Sequence, residues 1–471
     1  MSVATRSSTV TPGHTTLDDP LEILRSRVIG QVITANSLEF DEARKLPYMT
    51  VDRRPHAIVR VATAEDVATT VDFAREHKLS LTVRGGGHSL AYFSTVDGGI
   101  TVDLSSMNRV TVDPVSRTAK AQGGATSGDL AAVAQRHGLA LTTGDTRSVG
   151  LGGLVTGGGV GFMVRKHGLT IDNLLSAQVV LADGRIVTAS NAENADFFWA
   201  IRGGGGNFGV ITEFTFQLAE AGTILGGDLM LPASREVVRG YLDFVASAPE
   251  DLTTIAGVMH APPAPYVPQD RVGEVVLSIL VSWTGSVEDG ERALAPLRAL
   301  ATPVADTVAP LNYEDIYRYT DHYSMPHSAS IRMMFADTLS DDAIDAGLDA
   351  IHNASSPYGM FHLRGLGGAV SRVAPDATAF ANRTQQYFVS IINVWLDPSE
   401  DAAVHQSWTE SLWQKIRHEG SGVYVNFLES EGEDRIREAY PGPTYDRLAE
   451  VKGKYDPDNL FRFNQNVPPR R

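Results

Sequence analysis

The chain has 471 residues and no cysteine, which excludes disulfides, thiolate metal sites, iron–sulfur clusters and cysteine nucleophiles together. Its 40 Lys+Arg against 56 Asp+Glu give a net charge of −16, so neither nucleic acid nor an anionic lipid surface is an expected partner. No run approaches the ~18 apolar residues of a membrane span, and the polar start MSVATRSSTV has no apolar signal core, so the expected compartment is the cytoplasm.

Residues 1–20 read as a loosely held arm, part of a lead-in over 1–44. Val59–Ala62 is a predicted strand. Thr63 then caps a helix, with Asp66 three residues on as an approximate capping box, and Val67, Val71 and Ala74 form its buried stripe. A strand Leu81–Arg84 leads into Gly85, and Ile100–Leu104, Arg109–Val112 and Ala119–Gln122 are short, partly alternating runs. Ser127–His137 is a second helix, stopped by Gly138. Asp183-Gly184 turns a hairpin over 178–188, a short helix covers Asn194–Ile201, and Val210–Leu218 alternates as a strand. Composition shifts near Ala219, where the glycine clusters stop. Helices are predicted over 234–248, 287–300, 341–354 and 398–419, and strands over 274–283, 386–396 and 423–428. This alternation predicts an α+β layer, one sheet covered on one face by helices.

Four glycine runs, Gly85–Gly87, Gly152–Gly153, Gly157–Gly159 and Gly203–Gly206, fall in one stretch of the N-terminal half. Consecutive glycines are costly to order, so the clustering points to backbone that approaches a ligand closely. Gly204–Gly209 fits G-x-G-x-x-G, but a helix precedes it and a strand follows, the reverse of a dinucleotide fingerprint. Arg84-Gly85-Gly86-Gly87-His88-Ser89 follows a strand and can form an anion-binding nest, with Arg84 adding charge and His88 a nucleophile or ligand; the other reading is a plain glycine turn. The stretch 144–168 has too little side chain for a packed strand or helix and is expected to loop around a flat cofactor. The 13 histidines show no metal spacing, so no metal site is expected.

RGGGHS (84–89), GDTRSVGLGGLVTGGGVGF (144–162), RKHGLTIDNL (165–174), FFWAIRGGGGNFGVIT (197–212), YVNF (424–427) and YDPDNLFRFNQNV (455–467) together resemble the berberine bridge enzyme-like flavoproteins of the vanillyl-alcohol oxidase superfamily. The resemblance implies an FAD-binding domain of two α+β subdomains over 45–218, joined by a C-terminal segment 435–471. A substrate domain over 219–434, with a large antiparallel sheet backed by helices, covers the flavin. Around FAD it places Arg84, Gly85, Gly86, Gly87, His88 and Ser89, then Thr146, Val149, Gly150 and Gly153. Gly158, Gly159, Gly161, Gly209 and Val210 follow, with Asn464 and Gln465 from the tail.

His88 matches the histidine that bonds the flavin 8α-methyl carbon in that family. The second tether of many members, a cysteine, is Thr146 here, which implies a single covalent link and a likeness to the bacterial hydroxynicotine oxidase branch. Tyr424 matches the family's Tyr-x-Asn-Tyr segment beside the flavin and is the expected proton acceptor, with Asn426 orienting substrate or flavin. His167 replaces a tyrosine that partners it, and a cation such as Arg165 or Lys166 would lower the Tyr424 pKa. The other reading is that Tyr424 only packs on the ring and His167 only bonds backbone. The implied function is an FAD-linked oxidase that takes hydride from a small-molecule alcohol or amine and is reoxidised by O2 to give H2O2. The alternatives are an oligosaccharide oxidase, a flavin-dependent dehydrogenase and a tailoring enzyme of natural-product biosynthesis.

Overall fold

The computed structural model describes residues 20–470. The N-terminal part builds two sheets. In the first, β1 (Gln31–Ile33), β2 (Ala57–Arg60), β3 (Leu81–Arg84) and β4 (Ile100–Asp103) lie in the order β1-β2-β4-β3, with β2 and β3 parallel to β4. Parallel neighbours need a crossover. The helix α1 (Ala64–Glu76) lies between β2 and β3 in the chain and buries Val67, Val71 and Ala74. Thr63 caps α1 by accepting the Asp66 amide at 3.1 Å. The Asp66 carboxylate does not complete the expected box. It takes the amides of Ala62, Ile29 and Gly30 instead, at 2.7–2.9 Å. This ties the chain before β1 to the helix start, and β1 pairs with β2, so the expected lead-in packs into the first subdomain, with the helix Pro20–Arg27 burying Leu21 and Leu24 in its core. The arm over 1–19 lies outside the described residues.

The second sheet is antiparallel: β5 (Val110–Asp113), β6 (Thr118–Gln122), β7 (Leu174–Val180), β8 (Ile186–Ser190) and β9 (Val210–Gln217) lie in the order β5-β6-β9-β7-β8. Gly184, at φ +80°, closes the Asp183-Gly184 hairpin where only glycine is unstrained. The helix α2 (Ser127–Gln135) opens with a true capping box between Thr126 and Asp129. A helix also forms where a loop was expected, α3 (Leu151–Gly157). Leu151, Leu154 and Val155, at i, i+3 and i+4, supply its apolar stripe, and its glycines leave the opposite side bare.

The third sheet has eight strands and is antiparallel. β10 (Thr223–Pro232), β11 (Leu252–His260), β12 (Val275–Trp283), β13 (Ser328–Ala336), β14 (Met360–Gly365) and β15 (Tyr387–Trp395) lie in the order β10-β12-β11-β14-β15-β13. Ala305–Asp306 and Ala309–Asn312 edge β10. Helices α4 (Arg235–Ser247), α5 (Val287–Arg298), α6 (Asp341–His352) and α7 (Ala402–Ile416) cover one face, meeting Leu231, Val258, Ile279 and Leu363. The predicted strand 423–428 is instead a 3-10 turn, Val425–Phe427, closed by the Phe427 amide on the Tyr424 carbonyl at 2.8 Å. Among the described residues no helix is long and apolar enough to cross a membrane.

The C-terminal helix α8 (Pro443–Tyr455) returns to the N-terminal part. Its Lys452 is fully buried and spends all three protons, on Asp456 (2.6 Å), the Asn207 carbonyl (2.6 Å) and the Phe461 carbonyl (2.8 Å). Burial lowers the Lys452 pKa, and Asp456 opposes that. Lys452→Met is expected to destabilise the protein by about 3–5 kcal/mol, because it leaves a buried carboxylate uncompensated. A denaturant midpoint measured on both proteins checks this; a change below about 1 kcal/mol would show that the pair does not anchor the tail.

Candidate active site

The uncovered face of the eight-stranded sheet closes a cavity of about 480 Å³ against the glycine loops of the N-terminal part and the C-terminal tail. Gly85, Gly86, Gly87, His88 and Ser89 line it from the loop after β3. Thr146, Val149, Gly150 and Gly153 line it from the segment that opens α3, Gly209 and Val210 from the start of β9, and Asn464 and Gln465 from the tail. Tyr424 and Asn426 complete this group.

The cavity fits a flat group with polar edges such as FAD. A Cβ on Gly86 would lie 2.4 Å from the Gly150 amide nitrogen, so the two glycine loops pack backbone to backbone. A Cβ on Gly153 would meet no protein atom within 4 Å, which leaves that side of α3 free for a ligand. Asn464 donates to the Gly206 and Phe461 carbonyls, while its Oδ1 is buried with no partner. Gln465 holds the tail by donating to the Leu428 and Glu429 carbonyls, each at 3.0 Å.

His88 Nε2 lies 2.9 Å from Ser148 Oγ, and Ser148 donates onward to Ser324 at 2.9 Å. Burial, with His327 adding to it, lowers the His88 pKa to about 4, so the ring is neutral at physiological pH. Tyr424 is buried, and its hydroxyl oxygen accepts the Gly159 amide and the Asn426 side-chain amide, both at 2.9 Å. Asn426 is itself oriented by a bond to the Leu154 carbonyl. Burial raises the Tyr424 pKa to about 12, against the two N–H donors and the nearby Arg364 charge. Arg364 is paired with Asp145 and donates to the Val160 carbonyl at 3.1 Å. All three residues line the cavity or its rim, and no motif marks the pair in the sequence.

Several expected placements are corrected. Arg84 does not face the cavity; it is buried against Asp103, Nη2 to Oδ2 at 2.9 Å, and spends its charge inside the first sheet. Gly158 packs under Phe380 and Tyr424, Gly159 under Thr170, and Gly161 against the Thr143 carbonyl, so these glycines make room for protein and not for a ligand. His167 ends a one-turn helix outside the cavity wall, with its Nε2 buried and unpartnered and its pKa lowered by burial and Lys166. Arg165 donates to the carbonyls of Val245, Leu366 and Ala248, and Lys166 pairs with Asp251. Neither cation reaches Tyr424, and burial raises its pKa where a lowering was expected.

Residues 55–190 match the family described as FAD binding domain, and residues 423–468 the one described as berberine and berberine like. The uncharacterised FAD-linked oxidoreductase YvdP of Bacillus subtilis is 32% identical, over 95% of this chain and 99% of that protein. The (R)-6-hydroxynicotine oxidase of Paenarthrobacter nicotinovorans is 30% identical, over 93% and 97%. The glucooligosaccharide oxidase of Sarocladium strictum is also 30% identical, over 89% of each. Among solved structures, 6-hydroxy-D-nicotine oxidase from Arthrobacter nicotinovorans superposes with a TM-score of 0.85 at 29% identity, covering 94% of this chain and 98% of that one. With a glycine-walled cavity that suits FAD and relatives matched along nearly their whole length, the chain belongs to the berberine bridge enzyme-like family of FAD-dependent oxidoreductases.

Proposed function

We propose that the protein is an FAD-linked oxidase of a small-molecule amine or alcohol, with FAD held by one covalent bond through His88 and O2 as the electron acceptor. The observation that carries this reading is the continuity of one cavity, from the glycine loops and His88, past Tyr424 and Asn426, to a mostly apolar sheet face. Bound FAD supplies hydride acceptance from a substrate C–H and electron transfer to O2. The chain supplies the rest. The glycine loops admit the cofactor, Asn464 and Gln465 close over it from the tail, and Asn426 fixes the hydroxyl of Tyr424, which takes the substrate proton. The sheet face presents Met230, Ile255, Met259, Leu280, Met360 and Ile392. On that face the apolar side chains outnumber the polar ones, Asp228, Ser278, His362 and Arg364, which supports a substrate with an apolar body and a few polar groups over an oligosaccharide, which needs many hydrogen-bond partners.

Val149 separates the oxidase from the dehydrogenase reading. It is half-buried in the cavity wall beside Gly150, and in a close-packed wall one added methylene can fill the gap a gas molecule uses. Reduced holoenzyme mixed with aerated buffer in a stopped-flow instrument is expected to reoxidise with formation of H2O2. Val149→Leu is expected to reoxidise about 10-fold more slowly, the effect of ~1.4 kcal/mol of added barrier. Reduced wild type that persists in air would favour the dehydrogenase, and equal rates would remove Val149 as the gate.

A further inference from the structure

Asp228 stands on β10 and lines the cavity at the edge of the sheet away from Tyr424. Strand register fixes its place. Asp228 lies opposite Leu280, Leu280 opposite Ile255, and Ile255 opposite Arg364, and all four line the cavity. The row crosses three strand spacings, about 14 Å from the Asp228 backbone to that of Arg364. Arg364 marks the reactive end, since its charge acts on Tyr424.

The Asp228 carboxylate is buried, 5% exposed, and accepts Ser278 Oγ at 2.8 Å and the Tyr266 hydroxyl at 3.5 Å. Its backbone is pinned by Thr307, whose hydroxyl accepts the Asp228 amide at 2.8 Å. Tyr319 donates to that same Thr307 hydroxyl at 3.0 Å. The rings of Tyr266 and Tyr319 meet edge to face, 6.3 Å apart, and both line the cavity. The ionisable groups that act on Asp228 are these: Tyr266 from the loop after β11, and Asp306 from the edge strand, whose charge opposes ionisation. Among the described residues no lysine, arginine or histidine pairs with Asp228. Arg364, the cation in the same row, is taken by Asp145. A buried carboxylate left without a cation is costly, and a cation brought by a ligand relieves that cost. Aromatic rings beside it favour an organic ammonium over a hydrated metal ion.

We propose that Asp228, flanked by Tyr266 and Tyr319, binds an organic ammonium group of the substrate. The oxidised C–H then lies at the Tyr424 end, remote from the cation by up to about 14 Å, with the apolar wall of Leu280 and Ile255 holding the body between them. The substrate is an elongated cation oxidised away from its charge. The assignment of the ligand as substrate rests on the oxidase reading; the binding site itself does not.

Burial raises the Asp228 pKa to about 6, and Ser278 and Tyr266 oppose that. The charged form therefore exists above about pH 6 and is lost below it. The test is isothermal titration calorimetry on the holoenzyme with 4-phenylbutyltrimethylammonium and, as the neutral control, 4-phenylbutan-1-ol. At about pH 8 the wild type is expected to prefer the cation by at least about 10-fold. Asp228→Asn is expected to lose that preference, and the wild type to lose it at about pH 5. Circular dichroism checks that the variant is folded; if it is not, the pH comparison on the wild type decides. A wild type that does not prefer the cation, or a preference that survives both Asp228→Asn and the lower pH, overturns the proposal. Calorimetry reads no turnover, so that failure stands apart from a failure to form H2O2.

Discussion

Flavin that stays with the wild-type polypeptide after acid denaturation is expected to separate completely from the His88→Ala variant. A histidine attacks an electrophilic carbon only through an uncharged ring nitrogen with a free lone pair. Burial supplies the first condition by lowering the His88 pKa to about 4. The hydroxyl chain supplies the second. Ser148 gives its own proton to Ser324, so its oxygen accepts from His88 Nε2–H, and that tautomer leaves the lone pair on Nδ1. Tyr48 adds support by donating to the His88 carbonyl at 3.2 Å. With no cysteine in the chain and Thr146 in the cavity wall, a second tether through a cysteine thiolate is excluded. Acid precipitation followed by flavin absorbance in pellet and supernatant reads the outcome, and mass spectrometry places the flavin on the peptide that carries His88. Flavin freely released from the wild type would end the covalent assignment, while retention by the alanine variant would move the bond to another residue.

How far the fold was legible depended on whether each element carried a local signal: a turn, a cap, or an unbroken β-branched and aromatic run such as 275–283 or 387–395. The Asp183-Gly184 hairpin and the Thr63 cap could be read because turn and cap chemistry is local. β10, β11, β13 and β14 were not distinguished. On β11, Val258 meets the helices while Ile255 and Met259 face the cavity, so apolar residues fall on both faces and the alternation disappears. In α3 the glycines suggested a loop, yet Leu151, Leu154 and Val155 carry enough apolar stripe to hold a helix against the core. The site shows the same limit. Gly86 and Gly161 look alike in sequence, but one brings two loops together beside a ligand space and the other abuts the Thr143 carbonyl. The Arg364–Asp145 pair and the Asp228 site join residues far apart in the chain; the sheet register places the Asp228 row, and the packing of the 144–150 loop against the sheet makes the ion pair.

Tyr424→Phe is expected to slow flavin reduction by at least ~10-fold, against the ~100-fold at the low end of general-base contributions. The hydroxyl oxygen already accepts two N–H groups, from Gly159 and Asn426, so in the neutral form its proton is free to point to a substrate oxygen or nitrogen in the cavity. As a phenolate, the same two donors and the Arg364 charge stabilise it, while burial and Asp145 oppose it. Burial prevails and holds the pKa at about 12. The sign follows: the folded-state pKa lies above the ordinary tyrosine value, so the basic form is scarce at neutral pH and grows about tenfold with each unit of pH below 12. The wild-type limiting reduction rate is therefore expected to climb with pH through the neutral range. The Phe variant keeps the ring packing against Phe380, Phe388 and Phe427 but has no group to titrate, so its profile is expected to be lower and flat, with flavin attachment intact. Anaerobic stopped-flow reduction of both proteins across that range measures the two slopes. A substrate amine that reacts in its neutral form gives a slope set by its own pKa in both proteins. A Phe variant as fast as the wild type at every pH would show that Tyr424 positions the ring face and takes no proton.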